Sequence, residues 1–405
     1  MGTDLQSIHS DDSTNLFIGL NSGKNNNLML NARHNIFAGN SSGKSNITGF
    51  SNIAIGSNTM QSCVASSYIV AIGEDAMKYG NSSGTANSSY NIAIGYGALR
   101  GSFNPVNNTG AANLAIGVYA LANNDTGYDN SAVGYQVMYN NTGGHQNTGM
   151  GVGALWANTL GYSNAALGFQ ALYLNETGSR NTAIGRDALA YNSYGNYNVA
   201  VGTSTLGWNE TGDNNVALGY NAGPTSILYN DINNAISIGS NVANNLDNQN
   251  VIGNASSQYT GGFNDWTNYS DGRMKYNVKE DVHGLDFILK LRPVTYNRSI
   301  DKANEILGVS KPDEVSKSYY NAEQQRVTGF IAQEVEAAAK EVGYDFSGVK
   351  PAKNKNDLYG VSYACITVPL VKAVQELNEL QNSRFNAQDR KSTRLNSSHV
   401  SESRM

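Results

Sequence analysis

Charge is nearly missing from the middle of this sequence. Between residues 101 and 269 there is no lysine, and Arg180 and Arg186 are the only arginines. With a net charge of −5 over the whole chain, no basic face is on offer for nucleic acid or an anionic membrane, so neither is expected as a partner. Cysteine is as scarce. Cys63 and Cys365 lie far apart in regions of different composition and read as two buried free thiols rather than a disulfide. The histidines His9, His34, His145, His283 and His399 have no metal-ligand spacing. No metal and no cofactor are therefore expected, and Gly149-x-Gly151-x-Gly153 belongs to a repeat, not to a phosphate loop. No stretch is apolar enough to span a bilayer, which argues against membrane insertion, and the first residues lack a basic-plus-apolar signal. An exported product would leave its cell by lysis or assembly, unless this N-terminus is incomplete. Disorder is a poor fit too: with 40% hydrophobic residues and 24 tyrosines, the chain has ample material for a core.

What is present is repetition. Asn-x-(Ala)-(Ile/Val/Leu)-Gly recurs at Asn52–Gly56, Asn91–Gly95, Asn113–Gly117, Asn130–Gly134, Asn147–Gly151, Asn164–Gly168, Asn181–Gly185, Asn198–Gly202 and Asn215–Gly219. From Gly117 to Gly219 each step is seventeen residues, and looser copies end at Gly19, Gly39, Gly73, Gly239 and Gly253. A second apolar pair follows the glycine, as in Ala120-Leu121, Val137-Met138 and Ala154-Leu155, and a Thr-Gly turn closes the unit. Neither short apolar segment can bury itself, so the units must stack to share a core. The expected fold is mainly β: a parallel β-solenoid or β-roll with irregular repeats over 1–112 and regular ones over 113–264. Rungs are ~4.8 Å apart in such a stack. The recurring asparagine is positioned to form a side-chain ladder, and the glycine supplies φ > 0 at a turn.

Tyr139, Trp156, Tyr173, Tyr191 and Trp208 recur at nearly one register. They read as a stripe that packs the roll or a seam between chains, or as a surface on which sugars stack. The Asn-x-x-Ala-Ile-Gly pattern resembles the head repeats of trimeric bacterial adhesins, which form a β-roll, although seventeen residues is a longer period than that pattern has.

After residue 269 the character changes: Lys, Arg and Glu return and helical spacing appears. At the junction stands Ser270-Asp271-Gly272-Arg273-Met274-Lys275. A neutral lysine amine can take the proton of a serine hydroxyl, which then attacks a neighbouring carbonyl. For Lys275 to do so near neutral pH, burial or a cation such as Arg273 must disfavour its charged form. Alternatively, Ser270-Asp271 is a plain cap at a helix start. Gly284–Leu291 reads as a short amphipathic helix stopped by Arg292-Pro293, Val294-Thr295-Tyr296 as a strand, and Gly329–Val335 as the start of a helix through Val342. Tyr363 to Leu380 is expected as a helix with Leu370, Ala373, Leu377 and Leu380 at coiled-coil spacing.

Four motifs occur here in order: Ser-Asp-x-Arg-x-Lys-x-Asn-Val from Ser270, Gly-Leu-x-x-Ile-x-x-Leu-x-Pro-Val-x-Tyr from Gly284, Gly-Phe-Ile-Ala-Gln-Glu-Val from Gly329, and Ala-Val-Gln-Glu-Leu from Ala373. Together they resemble the intramolecular chaperone domain at the C-terminus of endosialidase-type phage tailspikes and tail fibres. The likeness covers about 265–383, and the domain is assigned to 265–389, a small α+β unit ending in a coiled-coil helix. The resemblance implies a homotrimer whose C-terminal domain templates the β-rich part and then cuts itself off. It makes Ser270 the nucleophile and Lys275 the base, and puts the cut at Ser270–Asp271, with Tyr269–Ser270 as the alternative. Arg273 and Asn277 are supporting groups. Such a device answers a physical need, because identical rungs slip register unless something aligns the chains first. Cleavage then traps the product kinetically.

Residues 390–399, Arg-Lys-Ser-Thr-Arg-Leu-Asn-Ser-Ser-His, match a translation of a common sequencing-library adapter (CGG AAG AGC ACA CGT CTG AAC TCC AGT CAC). Residues 390–405 are therefore expected to be a non-native tail. The whole reads as a structural and adhesive fibre or spike of a virion tail, binding a host-cell surface glycan or protein receptor. Its one expected catalytic act is a single self-cleavage per chain. The alternatives are a cell-surface, extracellular adhesin carrying the same module, and a polysaccharide-degrading tailspike. The last needs a converging carboxylate pair, whereas Asp125, Asp129, Glu176, Asp187 and Glu210 are spread singly.

Overall fold

The repeat alternates a small apolar residue with larger neighbours, as a short strand buried on one face requires. In the computed structural model, which describes all residues except 1–7, 10–13, 85–86, 258–267, 310–320, 322 and 403–405, each copy forms a short strand. Ala115, Ala132, Ala166, Ala183, Ala200 and Ala217, at the strand centres, are fully buried. Among the described residues these strands form one 15-stranded sheet in sequence order. Ile8–His9 pairs antiparallel at its head, and every pairing from Leu16–Ile18 to Asn250–Ile252 is parallel. The register is one repeat per rung, with Ala132 opposite Ala115 on one side and Gly149 on the other. The fold is thus a parallel β-solenoid. Where the strand-centre alanine is missing, its neighbour compensates: a Cβ on Gly149 would lie 2.6 Å from Val137 Cγ1, because Val137 takes the room that alanine fills in other rungs.

The second apolar pair is a tight turn rather than a strand. Leu121, Met138, Leu155, Leu172 and Leu189 are fully buried with φ of 50 to 55°, a conformation costly for residues with a side chain. It persists because it is fixed from both sides, by burial of the side chain and by rung-to-rung hydrogen bonds such as Leu155 N–H to Ala171 O at 3.0 Å.

The expected asparagine ladder is present, and a second runs beside it. In the first, Asn130 N–H donates to Asn113 Oδ1 at 3.1 Å and Asn130 Nδ2 donates to Gly144 O at 2.9 Å. The same pattern joins Asn147, Asn164, Asn181, Asn198 and Asn215. In the second, Asn141 Nδ2 donates to Asn124 Oδ1 (2.6 Å), Asn158 to Asn141 (2.7 Å), Asn175 to Asn158 (2.8 Å) and Asn209 to Asn192 (2.8 Å). Each of these amides also closes its own turn, as Asn158 Nδ2 does on Gly161 O at 3.1 Å. Chains of aligned amides reinforce one another in a dry interior. Asn158→Ala would leave Asn141 Oδ1 and Gly161 O without this donor and is expected to cost about 2–3 kcal/mol, read as a lower unfolding midpoint in denaturant. A midpoint within error of the wild type would mean that the ladder is dispensable.

Two compact units result, Met1–Asn254 and Ala255–Met405; the boundary expected at 264 lies outside the described residues. Cys63 is buried in the first unit, which pushes its thiol up to about 12, and Cys365 is free and half-buried.

In the second unit, α1 (Leu285–Ile288) leads to the strand Val294–Asn297, which pairs antiparallel with Arg326–Gly329. Helix α2 (Ile300–Leu307) lies between them in sequence and is capped by Ser299. Helix α3 (Ala332–Glu341) starts later than Gly329 because that glycine is still in the ladder, opposite Val294. Phe287, Val335, Ala338 and Ala339 form its small core. The last helix, α4 (Tyr363–Glu402), is longer than expected and runs through the suspected tail. On its expected seam only Ala373 is buried (3% exposed), while Leu370, Leu377 and Leu380 stay about half exposed.

Candidate active site

The six residues at the junction form a single turn. Asp271 caps the 3-10 helix Gly272–Met274, its Oδ1 accepting from Arg273 N–H at 2.9 Å. Met274 N–H to Asp271 O and Lys275 N–H to Gly272 O, both 3.1 Å, close the turn. This folding-back brings Lys275 onto Ser270, and Lys275 Nζ donates to Ser270 Oγ at 2.6 Å. The two side chains expected to act as nucleophile and base are thus within proton-transfer reach of one another. The capping role falls to Asp271, and Ser270 is turned to the lysine instead.

Arg273 is turned to Asp271, not to the lysine. Its Nε donates to both carboxylate oxygens, at 3.1 and 3.0 Å. This pairing holds the Asp271 carboxyl below the usual carboxylate range and raises the arginine, each through their shared side-chain hydrogen bond. Asn277 has φ +53, a left-handed conformation that asparagine accepts more readily than most residues. Residues 268–281 are all exposed. In the single chain, then, Arg273 is paired with Asp271 and the whole junction is exposed.

Residues 270–344 match the family model for the chaperone of endosialidase. No curated protein matches the chain. The match opens on Ser270, takes in α1, both paired strands and α3, and ends at Tyr344, before α4. A chaperone-of-endosialidase domain behind a parallel β-solenoid fits a tail-fibre or spike-type protein.

Two further contacts tie the motifs of this domain together. Arg292, beside the Pro-Val-x-Tyr motif, donates from Nε to Glu334 Oε2 of the Gln-Glu motif at 3.0 Å. Glu376, in the Val-Gln-Glu motif of α4, accepts the Leu285 N–H at the start of α1 with Oε2 at 2.7 Å. The sequence singles out neither glutamate, and it gives Arg292 only a place at a helix stop.

Proposed function

We propose that this chain is the protomer of a homotrimeric virion tail fibre or spike that binds a host-cell surface receptor. Its C-terminal unit aligns three chains, directs solenoid folding and is then released by self-cleavage beside Ser270. The observation that carries the reading is the 2.6 Å contact of Lys275 Nζ with Ser270 Oγ at the first residue of the matched segment.

Ser270 Oγ attacks an adjacent carbonyl carbon while its proton passes to Lys275 Nζ and on to the departing amine nitrogen; water then hydrolyses the ester. Ring strain distinguishes the two bonds. Within one chain, attack on Tyr269–Ser270 passes through an unstrained oxazolidine, whereas attack on Ser270's own carbonyl requires a β-lactone. Cutting Ser270–Asp271 therefore calls for the Ser270 hydroxyl of another chain.

Trimerisation is supported by apolar surface that one chain leaves uncovered. On α4, Val368, Val371, Val374 and Leu377 are each more than half exposed. On the solenoid, the strand-end residues Ile55, Met150, Leu167, Ile184 and Leu218 point away from the core and are 38–52% exposed. Contiguous apolar surface of this kind marks a protein–protein interface. Assembly of three chains is, in this proposal, what buries the junction, since one chain by itself leaves residues 268–281 exposed.

Expression of residues 1–389 tests the proposal. Light scattering is expected to give three times the chain mass, and a denaturing gel a fragment whose first residue is Ser270 or Asp271. A full-length monomer would overturn both parts. An intact trimer would keep the templating role and remove the self-cleavage.

A further inference from the structure

Rings stack along the solenoid at one register: Tyr139 on Trp156 with 6.1 Å between ring centroids, then Trp156 on Tyr173 at 5.3 Å. One rung further, the register falls on Ala190, and after it on Gly207. The aromatic residues have moved one position along, to Tyr191 and Trp208, which stack on each other at 5.3 Å and 4° between planes. The shift opens a cavity of about 490 Å³ bounded by Tyr173, Tyr191 and Trp208, with Ala190 and Gly207 in its lining.

A row of polar side chains runs along the same cavity. Gln170, Asp187, Ser204 and Asn221 line it, all at the same repeat position with φ between 49 and 55°. They therefore recur once per rung, ~4.8 Å apart, a distance comparable to the length of a sugar ring. Asp187 pairs with the exposed Arg186, Nε to Oδ2 3.0 Å, and Asn221 with Asn241.

We infer that this cavity is a saccharide-binding site. A pyranose has an apolar ring face and a rim of hydroxyls, and the cavity offers aromatic faces beside a row of hydrogen-bonding groups at matching intervals. A purely apolar ligand would leave Asp187, Gln170 and Ser204 facing it without exchange of hydrogen bonds. An anion would meet the carboxylate of Asp187. The cavity holds that one carboxylate, and glycoside hydrolysis needs two, so the site binds sugar without cutting it. This inference rests on the fibre reading and specifies its receptor as a glycan.

The full chain is first applied to a printed array of cell-surface oligosaccharides, and the strongest binder is titrated by tryptophan fluorescence. Trp208→Ala and Asp187→Asn are each expected to weaken binding about tenfold or more, through loss of stacking and of a charge-assisted hydrogen bond. Ala190→Tyr, which continues the ring stack into the cavity, abolishes binding while the unfolding midpoint stays level or rises. Tyr128→Ala, in a separate stack with His145, leaves binding unchanged. Absence of any binding sugar, or binding indifferent to all three cavity variants, overturns the site. If the 270/271 fragment still forms in that case, the fibre reading stands and the cavity alone is rejected. Sugar binding that responds to the variants in a chain that never cleaves separates the two the other way.

Discussion

Ser270→Ala leaves every chain at full length, and Lys275→Ala slows cleavage by about 10²–10⁴-fold, the usual worth of a positioned general base. In the proposed mechanism the first variant removes the attacking oxygen and the second the acceptor of its proton, which stands 2.6 Å away. Lys275→Arg separates catalysis from structure. It keeps a cation that can donate to Ser270 Oγ, but a guanidinium does not give up its proton in a protein. It is therefore expected to be uncleaved yet assembled. The readout is a time course on a denaturing gel, with assembly followed by light scattering. Efficient cleavage in Lys275→Arg would remove the base from Lys275 and leave it a purely structural contact. The exposure of residues 268–281 adds a concentration dependence: dilution below the assembly threshold is expected to stop cleavage in the wild type.

Gly185→Ala is expected to break the solenoid. Gly185 has φ +133, and a Cβ there would stand 2.5 Å from the carbonyl oxygen of Gly202 in the next rung. The obstacle is backbone, so no side-chain rotation relieves it. The rungs must separate, and the asparagine ladders that cross the same step separate with them. The expected loss is about 3 kcal/mol or more, strain and broken hydrogen bonds together. Because each rung touches only its neighbours, the damage starts locally. Hydrogen exchange should show lost protection centred on residues 182–202, along with poor soluble yield. Gly143→Ala is the matched control. It lies in the same array, but its Cβ would meet the Leu160 side chain at 3.1 Å and Thr126 Oγ1 at 3.2 Å, both able to shift. Its unfolding midpoint should stay near the wild-type value. Equal effects of the two substitutions would refute the stacking argument.

Much of the fold is legible because the solenoid is a one-dimensional object. Asparagine, alanine and glycine repeating at seventeen residues allow one register, and parallel pairing of each rung with the next follows from it. The ladder of Asn113, Asn130 and Asn147 could be read off as well, since those residues sit inside the motif. Asn124, Asn141, Asn158 and Asn175 have the same period, but they stand in the turn, where asparagine is common for local reasons. Only their burial reveals a second ladder. The left-handed leucines were hidden for a different reason. An Ala-Leu pair carries no local turn signal, and its conformation is imposed by neighbouring rungs. In the second unit the helix Ala332–Glu341 begins after Gly329 because the antiparallel partner Val294 holds that glycine in a strand, a long-range pairing that local spacing does not encode.

At the junction, the residue types and their order were in the sequence: Ser270 and Lys275 are separated by one turn's worth of chain. The sequence alone determined the rung period, the inside and outside of each strand, the chemistry available at Ser270, and the kinship of the segment that follows. Tertiary structure decided where each side chain turned. It gave Arg273 to Asp271 and Lys275 to Ser270, since hydrogen-bond choice among close neighbours depends on the turn geometry. It also opened a cavity where the ring stack shifts from Tyr173 to Tyr191, because a one-residue offset in the sequence becomes an empty space only when rungs are stacked.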